Sequence, residues 1–93
     1  MQTVEKIGII CDSMKELLEY KNTKYGDSAL NPKKIFYKGD SESSIRIRLD
    51  DKLSRICNSQ ELKFNDVADV IGYCVLLLIS MGASKEDFQK LYD

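Results

Sequence analysis

The chain has no histidine among its 93 residues. That removes most zinc sites, the Ser-His and Cys-His nucleophile pairs, and imidazole acid–base chemistry. Any catalysis would have to run on carboxylates, lysines, tyrosines and a hard cation such as Mg²⁺. Cysteine is scarce and odd in number: Cys11, Cys57 and Cys74 lie far apart. Each sits in an apolar helical context, so all three are expected to be small buried hydrophobes in a reducing cytosol. Proline occurs once, at Pro32. No run of apolar residues is long enough to span a bilayer, because Asp69, Gly72 and Ser80 interrupt the longest one. With no signal-peptide pattern at the start, the expected location is cytoplasmic, with no membrane association. Net charge is also small, −1, so the whole-molecule field gives no direct evidence for DNA or RNA binding.

What remains is a single short domain, residues 1–93, with strong helical periodicity. Val4, Ile7, Ile10, Cys11, Met14, Leu17 and Leu18 line one face of a first helix over residues 3–22. Asp12, Glu16 and Glu19 fall on the other side. A second helix starts at a cap on Ser41 or Ser43 and runs to about Cys57, with Ile45, Leu49, Leu53 and Ile56 inward. A third runs from Phe64 or Asn65 to a left-handed stop at Gly82. Ser84 followed by Asp87 opens a short fourth. No segment alternates as a strand does. The expected fold is an all-α bundle of three long helices and one short one. The connection over residues 22–41 reads as a functional loop or lid, with Tyr25, Phe36 and Tyr37 packed rather than solvated.

The third helix is the most informative segment. At roughly 100° per residue, Asp66, Asp69, Tyr73 and Ser80 form one narrow polar stripe on a helix that is otherwise apolar. Such a helix is expected to be buried, and its carboxylates to meet partners or a metal. Asn65 as cap and Asp66 in the first turn offer a plain helix-terminus account of Asp66, but Asp69 lies a turn further in. Lys21 and Lys52 come from the inward sides of the first and second helices. Two readings follow: ion pairs that set helix register, or a polar cleft in which carboxylates hold a cation and lysines hold phosphate. Lys33, Lys34, Lys38, Arg46, Arg48, Lys52 and Arg55 make the middle third basic, which suits phosphates or a solvated face. An apolar circumference this wide in so short a chain also predicts a homo-oligomer, a dimer or a tetramer.

Three strings, Lys21-Asn22-Thr23-Lys24-Tyr25-Gly26-Asp27-Ser28, Arg48-Leu49-Asp50-Asp51-Lys52-Leu53-Ser54-Arg55-Ile56 and Asp66-Val67-Ala68-Asp69-Val70-Ile71-Gly72-Tyr73, resemble a phage-encoded group. That group is called nucleotide modification associated domain 1 and is described as MazG-like. The resemblance covers roughly residues 14–79 in motif order and spacing. It implies a MazG-like bundle that acts on a nucleoside triphosphate or related nucleotide by Mg²⁺-dependent pyrophosphohydrolysis, in a host cytoplasm. In that scheme Asp66 and Asp69, with Asp50 or Glu19, would hold the metal. Lys21, Lys52 and Arg55 would hold phosphates, and Asn22, Tyr25, Gly26, Asp27 and Tyr73 would line the nucleotide. The chain departs from the wider class where two adjacent glutamates are expected, since Glu16 and Glu19 have no acidic neighbour beside them. The alternative is therefore a non-catalytic viral protein that sequesters a signalling nucleotide or inhibits a host defence protein directly.

Overall fold

A computed structural model of the chain describes residues 1–34 and 38–92. Among them are four helices and no strand: α1 (Thr3–Lys24), α2 (Ser41–Asn58), α3 (Phe64–Ser80) and α4 (Lys85–Gln89). The all-α fold follows the periodicity, and most boundaries fall within two residues of it. The connection between α1 and α2 is shorter than expected at both ends. Of the three aromatic residues expected to pack in this connection, Tyr25 is exposed instead, and Phe36 and Tyr37 lie outside the described residues.

Local chemistry accounts for the helix ends. At α1 the Gln2 N–H donates to Glu5 Oε1 at 3.1 Å. Asp40, rather than a serine, caps α2: its Oδ1 accepts the Ser43 N–H at 2.7 Å. This bond to the charged form holds the Asp40 carboxyl below its ordinary pKa. Asn65 does not cap α3, which begins after Lys63 with no side-chain bond to its first turn. α3 stops at Gly82, whose φ of 75° few other residues tolerate. Ser84 and Asp87 then exchange bonds in both directions at the start of α4.

The principal packing is α2 on α3. Ile45 of α2 is the one apolar side chain fully buried among the described residues, with Leu49 and Ile56 half-buried beside it on the same face, whereas Leu53, expected inward with them, is exposed. α1 crosses α3 more locally, in antiparallel sense. Gly72 of α3 sits under Leu18, close enough that a Cβ there would lie 2.9 Å from Leu18 Cδ2.

Burial within the chain is far less than the sequence leads one to expect. Gly72 is the only buried residue of α3, and Val67, Ile71, Val75, Leu78 and Ile79 are exposed. Val4, Ile7 and Ile10 of α1 are exposed as well. All three cysteines are exposed and free, which corrects the expectation that they are buried. The shared reason is geometric: the apolar circumference of α3 has α2 on one side and a short stretch of α1 on another, and no other described helix on the third. The accessible surface is 7729 Å², where a folded monomer of 10.6 kDa would expose about 5,500 Å². The radius of gyration is 15.0 Å, against about 12 Å for a compact chain of this length. Among the described residues, no helix is long and apolar enough to cross a membrane.

Candidate functional site

Three helices bring charge to one place. Asp69 on α3 meets Lys52 of α2 through Oδ2 at 3.0 Å, and Lys21 of α1 through Oδ1 at 3.6 Å. The placement is helical bookkeeping: Asp69 is one turn before Gly72, and Lys21 is one turn after Leu18 on the antiparallel α1. The α1–α3 crossing therefore sets Lys21 beside the carboxylate. Lys52 leans along the apolar face of α2 and is the most sheltered of the three, its side chain 17% exposed against 28% for Asp69 and 47% for Lys21.

Next to this triad lies a cleft of about 250 Å³ between α1 and α3. Met14, Leu18 and Leu76 give it apolar walls, Tyr25 and Tyr73 supply aromatic rings, and Asn22, Lys21, Asp69 and Arg48 supply polar groups. The turn that follows α1 closes one end. Gly26 and Asp27 both take left-handed backbone, at φ 63° and 58°. The Asp27 N–H returns to the Asn22 carbonyl at 3.0 Å, and the Asn31 amide donates to the Asp27 carboxylate. The Ser41 hydroxyl donates to the Leu30 carbonyl at 2.8 Å, tying the turn to the start of α2. Lys24 lies 5.7 Å from the Tyr25 ring centroid and 5.9 Å from that of Tyr20.

Of the residues singled out from the sequence, Lys21, Asn22, Tyr25, Asp69 and Tyr73 line the cleft, and Lys52 holds Asp69 at its edge. Gly26 and Asp27 shape the adjoining turn. Arg55 is not brought in; it pairs with Asp51 one turn back on exposed α2 surface. Arg48 takes its place in the cleft. It stands four residues before Lys52, which puts both on one side of α2. That spacing was readable, but it does not by itself separate Arg48 from Arg55, which stands three residues after Lys52.

The donor set does not fit a Mg²⁺ cage. Both Asp69 oxygens face lysine ammonium groups, and among the described residues no three acidic or cysteine side chains gather as metal ligands do. Asp66 is half-buried one turn before Asp69, Asp50 is exposed on α2, and Glu19 borders a different groove. The cleft and its edge instead carry three cations, Lys21, Arg48 and Lys52, around Asp69. Such a surplus favours an anion. The chain matches no family model, no curated protein and no solved structure.

Proposed function

We propose that the chain binds a phosphorylated small molecule, best a nucleotide, in the α1–α3 cleft, through cations rather than a metal, and without hydrolysing it. The observation that carries this is the convergence of Lys21, Lys52 and Arg48 on a cleft holding a single carboxylate. Lysine and arginine suit phosphate oxygens. Tyr25 and Tyr73 offer faces to a base or sugar, and the Asn22 amide offers both donor and acceptor. A volume of about 250 Å³ is just below the roughly 300–1,000 Å³ usual for small-molecule sites, which favours a mononucleotide. The MazG-like resemblance points to the same ligand class.

Sequestration of a nucleotide is the activity in this reading, carried out by a homo-oligomer, dimer or tetramer, in a cytoplasm. Three exposed free thiols suit such a reducing compartment. The test is a panel of nucleoside mono-, di- and triphosphates offered with EDTA or with Mg²⁺, read by calorimetry and by chromatography of the nucleotide afterwards. Binding in EDTA with the nucleotide recovered intact is expected, and Lys21→Ala should abolish it. Product formed only with Mg²⁺ would replace this reading with pyrophosphohydrolysis. If no nucleotide binds in either condition, direct inhibition of a host protein becomes the better reading.

A further inference from the structure

α1 and α3 touch where Leu18 crosses Gly72 and then part. Toward the start of α1 they leave a groove of about 470 Å³ lined by Ile10, Cys11, Met14, Ile71, Val75 and Ile79. Lys15 and Glu19 stand on the rim. Beyond the groove α1 continues for two turns with Val4 and Ile7 exposed. Val4, Ile7, Cys11, Met14 and Leu18 follow one another at alternating spacings of three and four residues, the repeat of a helix that packs along another helix. On this stretch also stands Gly8, inside the helix, where glycine is destabilising relative to alanine. Apart from its neighbours and the backbone of its own helix, none of the described residues lies within 4 Å of where its Cβ would be, so no packing against another element among them accounts for it.

We infer that the groove and the N-terminal half of α1 form the interface of a symmetric dimer, with α1 of a second copy of this chain lying in the groove. The occupant follows from area and from self-complementarity. Each chain exposes about 2,200 Å² more than a monomer of its mass should. An obligate homodimer interface starts at about 2,000 Å², or about 1,000 Å² from each copy, which part of this whole-chain surplus can supply. The same molecule supplies both halves of the contact, an apolar groove and an unsupported apolar helix of matching 3-4 repeat, which is what an isologous interface requires. The rim is mixed in sign, with Lys15 and Glu19, so two copies meet without a like-charge edge. The inference stands independently of what the neighbouring cleft binds.

Sedimentation equilibrium of the full chain at micromolar concentration should give twice the 10.6 kDa chain mass, and one chain mass would overturn the inference. Ile7→Glu, at a position exposed in the single chain, should halve the mass while circular dichroism keeps its helical signal. Ile47→Glu, exposed on α2 away from the groove, should leave the dimer intact. A dimer that survives Ile7→Glu but not Ile47→Glu would place the interface elsewhere and sink the proposal. Should Ile7→Glu fail to fold, thiol labelling of the unmodified chain decides. Cys11 lies in the groove and Cys57 does not, so Cys11 should react more slowly than Cys57 as protein concentration rises. Equal rates at every concentration would refute the interface.

Discussion

Asp69 is the residue on which the competing readings divide. As a metal ligand it would be required for binding. As the counter-charge of Lys21 and Lys52 it competes with the ligand, because an arriving phosphate must take those ammonium groups from it. Asp69→Asn should therefore tighten binding of a nucleotide in EDTA. Loss of binding in calorimetry would restore the metal-ligand role. The same substitution leaves the sheltered Lys52 without its 3.0 Å partner. Exposed pairs contribute roughly 0–1 kcal/mol and fully buried ones 3–5 kcal/mol on breaking. This half-sheltered pair should cost about 1–2 kcal/mol in urea unfolding. Replacing Asp69 and Lys52 together by Leu and Met should recover most of it. Lys21→Ala, at a more exposed position, should cost under about 1 kcal/mol while removing nucleotide binding. Asp40 gives a separate residue-scale expectation. Its folded pKa lies below the unfolded value of about 3.9. Its contribution is thus complete above the unfolded pKa and fades as pH falls through the folded one. The stability difference between the unmodified chain and Asp40→Asn should be constant at neutral pH and change only in the acid range, by thermal melts across pH.

At the scale of the helices, Gly72 decides how closely α1 approaches α3. Alanine there gains up to about 1 kcal/mol of helix propensity, but its Cβ must displace the end of Leu18. That is a flexible neighbour, so the two effects should nearly cancel and the melt should move little. Leucine at the same position acts as a wedge and should separate α1 from α3. Nucleotide binding should then vanish while α2 and α3 stay helical by circular dichroism, and retained binding would show that the cleft does not depend on this crossing. Helix placement was legible because 3.6-residue periodicity and caps are local properties: Ser84 with Asp87 marked α4, and Gly82 marked the end of α3. The cleft was legible in part. Asp69, Lys21 and Lys52 stand out because each is a charge on an apolar face, whereas Arg48 is one of several arginines on α2 and only tertiary packing selects it. The cysteines depart from expectation for a related reason. An apolar helical context does not say what covers it: Cys11 is exposed in the single chain and lines the groove between α1 and α3.

For the whole molecule, the same helix serves two surfaces. α1 walls the cleft with Met14, Leu18, Lys21 and Asn22, and Met14, Leu18 and Asn22 also line the apolar groove. A partner helix seated in the groove would therefore hold α1 where the cleft needs it, and the two binding events should be coupled. Reciprocity then requires that dimerisation raise nucleotide affinity by the factor by which nucleotide strengthens the dimer. Couplings of this kind are commonly about 5–150-fold, and the interface-breaking Ile7→Glu chain should bind nucleotide more weakly within that range. Melting temperature should rise with protein concentration, because only the folded state associates. It should rise again with nucleotide: at a hundredfold excess over Kd the gain is about 2.7 kcal/mol, which for a domain of this size is roughly 10 °C or more. Calorimetric titrations of nucleotide into the unmodified chain and into Ile7→Glu would settle the coupling. Equal affinities for a dimeric and a monomeric chain would mean that α1 is already fixed by its crossing with Gly72, and that cleft and groove act independently.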